Sequence, residues 1–448
     1  MTLEVIPIGG YGEVGRSCVL VKVDDEAVIL DMGLHMDNYI AYTNDDERDD
    51  LGEKKDFSVD ALIAAQAVPD INLVKDLIPK VKALIIGHAH LDHIGAVPFL
   101  ANRFENANIH GTDFTMEVLK EMIKSDNIRL RNKIIGHKPN STFKVSDKIK
   151  VELVHMTHSI PQTATTVVHT PYGSVVYAVD LKLDNAPILG DKPNYKRLEE
   201  LGKKGVKVLI LDTLYAHVQN KTPSEAIARE MMKDVMLGVH SKGNSIIVTT
   251  FSSHIARLKT IIDLAKILKR KVYFIGRSFD KYVMAAKRAG VIDLTKKAEM
   301  IKYGGQVKSF FRKAKNVDKC IFVVTGHQAE PGSILPRMVF NDLYPFKEQD
   351  NVIFSCSIIP VPANVENRAK LDAELKRRKV RIFTDVHVSG HGYREDHREV
   401  LRMLKPEIYI PTHAEPDKLL MAKELAMEMG VKEQNVKIMN NGERLKVQ

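Results

Sequence analysis

The segment HAHLDH, residues 88–93, places three histidines and an aspartate in six residues, directly after the apolar run of residues 83–86. On an extended segment, side chains two apart leave the same face, so His88 and His90 can grip one ion together. Asp92 and His93 follow where the chain turns into IGAVPFL, and they can face a second ion beside the first. Zinc accepts such nitrogen and oxygen ligands at about 2.0–2.2 Å, and a hydrolytic site keeps one position for water. A lone histidine usually packs in a core or lies on a surface. Four ligand-type residues in six do not fit that reading.

Further candidates close other apolar runs. His158 ends VELVHMTH, Asp180 ends SVVYAVD and His413 ends EIYIPTH. A carboxylate at Asp180 can bridge two cations, as a single imidazole cannot. Asp31 ends AVILD and suits an acceptor that orients a liganding histidine. Aspartate and histidine often end strands singly, so the recurrence around one motif is what points to a two-metal site.

The elements that position these residues are strand-rich over the first ~210 residues. CVLVKVDDEAVILDMG reads as two strands with an Asp-Asp turn, and KALIIGH, IKVELVHMTH, SVVYAVDLKLD and VKVLILDT are further apolar runs ending in polar residues. IGAVPFLANRF and TDFTMEVLKEMI have helical periodicity, the second with Thr112 or Asp113 as cap. TNDDERDDLGEKKDFS, residues 43–58, reads as an exposed loop without chemistry. Near residue 220 the texture changes. TPSEAIAREMMKDVMLGV and SHIARLKTIIDLAKILKRK read as helices, NSIIVTTFS and VYFIGRS as strands, an alternation that implies a parallel sheet flanked by helices. It ends near residue 375, after which VRIFTDVHVSGHG and PEIYIPTHAEP again show strands ending in histidines. The chain is therefore read as α/β: a first domain over 1–215, an inserted domain over 216–375, and a segment 376–448 that completes the first.

At 448 residues the chain can build two or three domains, each with its own core. No apolar stretch approaches the ~20 residues of a membrane helix. The start, MTLEVIPIGGYGEVG, lacks the basic and apolar regions of a secretory signal, so the expected location is the cytoplasm. Cys18, Cys320 and Cys356 are scattered and odd in number, which reads as small core residues rather than a disulfide framework. The net charge of +9 is uneven: residues 216–375 carry +11 and the remainder −2. A lysine-rich surface alone needs only solvent, but beside a hydrolytic site it suits a polyanion.

With these residues in view, HAHLDH together with His158, Asp180 and His413 resembles the metallo-β-lactamase superfamily. The inserted domain and HVSGHG resemble its β-CASP branch, and within that branch the chain is similar to ribonuclease J of the short archaeal type, from about Val5 to the C-terminus. The resemblance implies an αββα sandwich with an inserted β-CASP domain. It implies one Zn2+ held by His88, His90, His158 and Asp180, and a second by Asp92, His93, Asp180 and His413, with Mn2+ as a substitute. Asp212, in VLILDTLY, matches the acidic residue before the insert, and His391 the histidine of the Gly-His-Gly context, 22 positions before His413. The family usually has Ser-Thr after the acidic residue, whereas Thr213-Leu214 follows here.

The candidate catalytic residues are thus Asp92, His391 and Asp212, with His391 as the acid for the departing 3′-oxygen, held by Asp212. Gly390 and Gly392 would let the backbone approach the substrate closely. A strand crossing between the domains would meet the basic insert. The resemblance further implies a 5′-phosphate site at Ser253, His387, Ser389 and Gly390, hence hydrolysis of single-stranded RNA from the 5′ end, with endonuclease activity besides. Residues 330–333, Glu-Pro-Gly-Ser, match another family loop. Implied partners are single-stranded RNA, a second copy of the chain and other RNA-decay factors, although the chain ends 35 residues after His413, short of the C-terminal domain through which bacterial members self-associate. An endonuclease of the cleavage-and-polyadenylation branch shares every metal ligand, but its archaeal members typically begin with KH domains. A thioesterase or lactonase does not need the basic insert, and a non-catalytic subunit would have lost ligands.

Overall fold

The computed structural model describes residues 2–44, 58–302, 304–314, 316–359 and 361–447. They divide into two compact units, Met1–Asp184 with Asp191–Thr222 and Gly390–Gln448, and Asn185–Gly190 with Pro223–Ser389. The stretch read as an exposed loop, residues 43–58, lies almost wholly outside the described residues.

The first unit is a two-sheet sandwich. One sheet has seven strands in the order Leu445–Val447, Leu3–Gly9, Cys18–Val23, Glu26–Leu30, Val81–Ile86, Asn108–Thr112 and Ile134–His137. The other has six, in the order Ile408–Thr412, Val206–Asp212, Gly173–Ala178, Ala164–Thr170, Lys150–His155 and Ser141–Lys144. Period-two alternation decides which side chains meet. Val208 and Ile210 face Val21, Leu30 and Ile85 of the opposite sheet in the central core. Leu209 and Leu211 turn the other way, onto the helices Tyr195–Lys204, Arg394–Leu404 and Pro416–Glu428 through Leu198, Leu401 and Leu425. Both faces of the strand are buried, which is why VKVLILD is apolar almost throughout.

The Asp-Asp turn forms as read: Cys18–Val23 pairs antiparallel with Glu26–Leu30, and Asp24 takes the left-handed conformation at φ 55°. IGAVPFLANRF is not one helix. It breaks into Leu91–Ile94, Val97–Leu100 and Ala101–Arg103, because Gly95 and Pro98 interrupt it. TDFTMEVLKEMI does form a helix, Asp113–Ser125, with Thr112 at its N-terminal boundary. All three cysteines are free and buried.

The second unit is a parallel sheet in the order Glu299–Ile301, Lys271–Ile275, Cys320–Val324, Ile246–Thr249, Asn351–Phe354 and Arg381–Phe383. Ser224 caps the helix Glu225–Leu237 by accepting from Ala226 N. Its main segment, Pro223–Ser389, runs later at both ends than residues 216 and 375. Arg381–Phe383 hydrogen-bonds to Asn351–Phe354 as the last parallel strand, so VRIF closes the insert instead of reopening the first domain. Residues 213–222 stay with the first unit through Thr213 N to Thr412 O at 3.0 Å and Thr222 N to the Asp396 carboxylate at 2.8 Å. Among the described residues, no helix is long and apolar enough to cross a membrane.

Candidate metal centre

The ligand-type residues converge at the ends of the sandwich strands. Val81–Ile86 delivers His88 and His90, Gly173–Ala178 delivers Asp180, and Ile408–Thr412 delivers His413. Asp31, Asp180 and His413 each adopt left-handed backbone, at φ 59°, 57° and 59°. Asp and His tolerate this conformation better than β-branched residues, and it turns each strand end abruptly toward the centre.

Two overlapping quartets result: His88, His90, His158 and Asp180, and Asp92, His93, Asp180 and His413, each with ligand atoms within 4.8 Å of one another. Asp180 is the shared member. Its Oδ2 lies 3.4 Å from His88 Nε2, 3.7 Å from His158 Nε2 and 3.1 Å from His93 Nε2, while its Oδ1 lies 3.6 Å from His413 Nε2. Asp92 Oδ2 is 3.6 Å from His93 Nε2 and 3.7 Å from His413 Nε2.

The electrostatics suit cations. Burial drives the imidazoles of His88, His90 and His158 well below their usual range, and neighbouring histidines add to it, so their lone pairs are available as ligands. Burial opposes protonation of His93 too, yet Asp180, Asp92 and Asp31 raise it well above the usual range. Positive charge is therefore favoured where the carboxylates crowd. Asp180 Oδ1 is buried without a hydrogen-bond donor. Such an atom is costly unless a cation meets it. The neutral imidazoles of His88, His90 and His158, the carboxylates of Asp92 and Asp180, and the orphaned oxygen on the latter fit a pair of divalent ions.

Outer contacts fix the imidazoles. Asp31 accepts from Gly87 N at 2.7 Å and lies 2.7 Å from His93 Nδ1; Ser17 Oγ lies 3.1 Å from His413 Nδ1, and the Gly390 carbonyl 2.7 Å from His158 Nδ1. Such partners set which ring nitrogen faces a metal. Sequence reading anticipated Asp31 but not Ser17, whose position before a strand carries no signal. It also missed Gly33. A Cβ there would lie 1.6 Å from Asp92 O, and Met32 N and Leu34 N bond His93 O and Leu91 O.

His391 Nδ1 lies 2.8 Å from Asp212 Oδ2, and Asp212 is fully buried. Burial would lower the His391 imidazole, but Asp180 and Asp212 outweigh it and raise it to about 9. Asp180, Asp212 and His391 also form a third cluster of ligand-type atoms. The flanking glycines also serve close approach within the fold. A Cβ on Gly390 would meet Ser159 Oγ at 2.8 Å, and Gly392 N bonds Leu181 O at 2.6 Å, so both bring the His391 loop against the segments that carry His158 and Asp180.

Ser253, His387 and Ser389 belong to the second unit and Gly390 to the first. Ser253 follows the strand Ile246–Thr249; His387 and Ser389 follow Arg381–Phe383, two places away on the same carboxyl edge of the parallel sheet. The Phe251 ring lies 6.4 Å from that of His387. Arg257 and Ser355 hold the approach to His387 by donating to Val386 O at 3.1 and 2.8 Å, and Arg257 is itself bidentate on buried Glu225 at 2.6 and 2.8 Å.

A strand-end cluster of histidines and aspartates on a two-sheet sandwich, interrupted by a parallel-sheet unit, defines a metallo-β-lactamase-type hydrolase with an inserted β-CASP domain. Residues 11–185 match the metallo-beta-lactamase superfamily, residues 243–371 the beta-CASP domain of ribonuclease J, and residues 377–439 the Zn-dependent metallo-hydrolase RNA specificity domain. The chain is 39% identical to ribonuclease J of Pyrococcus abyssi over 430 residues, 96% of this chain and 93% of that protein. It is also 39% identical to ribonuclease J of Methanocaldococcus jannaschii over 453 residues, 99% of each. The chain belongs to the ribonuclease J family. A crystal structure of a protein of unknown function from Enterococcus faecalis V583 shares the fold, with TM-score 0.66 and 16% identity over 100% of both chains.

Proposed function

We propose that the chain hydrolyses single-stranded RNA from a 5′-monophosphate end toward the 3′ end, in cytoplasmic RNA decay and processing, with two zinc ions as its resident metals. The observation that carries the reading is the shared carboxylate of Asp180 between two ligand quartets, with His391 and Asp212 beside it. Two divalent cations held by those quartets would supply a water acidic enough to attack near neutral pH and would neutralise charge on the phosphoryl oxygens. Asp180 spans the two ligand groups, Asp92 with His93 and His413 completes one, and His88, His90 and His158 complete the other. His391 holds a proton, because Asp212 takes up its Nδ1, and it delivers that proton from Nε2 to the departing 3′-oxygen. Asp212 positions the ring and stabilises its charge. Manganese suits the same oxygen and imidazole donors.

Ser253, His387, Ser389 and the Gly390 amide are proposed to bind the terminal phosphate, since hydroxyls, an imidazole and an N–H complement a compact dianion. A triphosphate is longer and more highly charged. The test is digestion of internally labelled single-stranded RNA bearing a 5′-monophosphate, triphosphate or hydroxyl. The expected result is processive release of mononucleotides from the monophosphate substrate and slow or internal cutting of the triphosphate. Ser389→Ala should narrow that preference and leave metal content unchanged. Equal rates on all ends, with internal fragments as the main product, would establish an endonuclease of the cleavage-and-polyadenylation kind instead.

A further inference from the structure

The His391 ring lies against those of His158, His413 and Tyr215. His158, at 5.0 Å, and His413, at 5.9 Å, belong to the ligand quartets; the third, Tyr215 at 6.0 Å and 56°, does not. Tyr215 is one of a row. Its ring lies 5.5 Å from Tyr393 and 5.9 Å from His217. The three rings come from two segments of the first unit, the turn after Val206–Asp212 and the start of the helix Arg394–Leu404.

The backbone beneath the row is fixed in detail. Tyr215 and Tyr393 form a parallel bridge. Thr222 Oγ1 accepts from Tyr393 N at 2.7 Å and donates to His391 O at 3.0 Å, tying the tyrosine to the proposed acid. Val218 N donates to Tyr215 O, and Arg394 N to Val218 O, both at 3.0 Å. Despite this rigid base the rings are not packed away: His217 is exposed, and Tyr215 and Tyr393 are half-buried. Aromatic surface held firmly but left open, beside the group that protonates a leaving nucleotide, is what stacking of an unpaired base requires.

We propose that Tyr215, with Tyr393 and His217, forms a stacking ledge for the nucleobase on the 5′ side of the cut, the nucleotide whose 3′-oxygen His391 protonates. The proposal rests on the reading of His391 as the acid. Stacking on a π-face is tolerant of base identity, so the ledge positions a strand of any sequence. It also selects against paired RNA, whose bases are already stacked on each other. Tyr215 is a positioning residue here. Its work is to hold the leaving nucleotide so that the 3′-oxygen lies within reach of His391 Nε2.

The experiment pairs protein and substrate changes. Short 5′-monophosphate RNAs carry either a normal nucleotide or a baseless ribose on the 5′ side of the first scissile bond, and kcat/KM is measured for the native enzyme, Tyr215→Ala and Tyr215→Phe, with metal content determined for each. Removing the base should cost the native enzyme about 5- to 160-fold, the range of a single base stack. Tyr215→Ala should lose a similar factor on normal RNA, lose little further on baseless RNA, and retain its metals, whereas Tyr215→Phe should restore the native rate. Equal baseless penalties in the native and Tyr215→Ala enzymes would overturn the ledge, as would loss of activity in Tyr215→Phe. His391→Ala provides the separate control: full turnover in that variant would overturn the acid assignment, whatever Tyr215 does.

Discussion

At the scale of single residues, the proposed roles of ligand and acid follow from where each imidazole points. His88 Nε2 faces Asp180 within a quartet, whereas His391 Nδ1 is taken up by Asp212. Replacing His88 or Asp180 by alanine should therefore abolish hydrolysis and lower bound metal together, and full metal occupancy with native turnover would sink the site. His391→Ala should instead reduce turnover ~10²–10⁴-fold, the usual contribution of a positioned acid, with metal content and RNA affinity near native. Because Asp180, Asp212 and His391 also make a ligand-type cluster, metal analysis of this variant is decisive. If both ions leave with the imidazole, its role is structural. The clustering of ligand-type residues was legible because HAHLDH concentrates four of them in six residues and because aspartate and histidine recur at strand ends. Ser17 was not, since a serine that touches one histidine 396 positions away leaves no local pattern.

At the scale of elements, two contacts translate directly into measurable outcomes. The segment of Met32, Gly33 and Leu34 runs against Leu91, Asp92 and His93 so closely that Gly33→Ala must push the ligand loop away. That variant should lose metal affinity and at least ~1–3 kcal/mol of stability, the usual penalty of overpacking, and native metal binding would show that the loop yields without harm. The second contact joins the strand Lys150–His155 to the helix Tyr195–Lys204: Arg197 is bidentate on Glu152 at 2.6 and 2.9 Å, and His169 adds a third bond at 2.8 Å. Burial opposes ionisation, but His169 and Arg197 hold the Glu152 carboxyl down at about 2. A depressed carboxyl stabilises the fold above its unfolded value of about 4.3 and loses that contribution as pH falls toward about 2. Glu152→Gln should thus be destabilised by about 1–2 kcal/mol at pH 7, after allowance for screening, with the gap to native closing in urea titrations below about pH 4. A gap independent of pH would point to packing alone. The apolar runs mark most of the strands that carry ligand-type residues, yet they do not mark where the insert closes. VRIF has the same apolar character whether it joins a sandwich or a parallel sheet, and only its pairing with Asn351–Phe354 decides. Likewise IGAVPFL has helical spacing, while Gly95 and Pro98 break it.

At the scale of the whole molecule, the charge is distributed in a way that the metal chemistry does not need. The ligand quartets belong to the first unit, yet residues 216–375, nearly all in the second, carry +11 of a total of +9, leaving −2 elsewhere. A sheet of this size does not require such an excess for folding; self-repulsion of like charge costs stability. A polyanion that spans several residues offsets it. If RNA is that polyanion, each phosphate neutralised releases condensed counterions, and binding must weaken with salt by about 0.7 in log K per contact for a single strand. Three phosphates would give a slope near −2. The measurement is best made on His391→Ala, expected to bind RNA without turning it over quickly, using an oligonucleotide too short to fold and salt between about 50 and 200 mM. A slope of −2 or steeper assigns the basic excess to the backbone of the substrate. A slope near zero, with binding intact, would mean that the lysines and arginines only solvate the surface and that the strand is held by stacking and terminal-phosphate contacts instead.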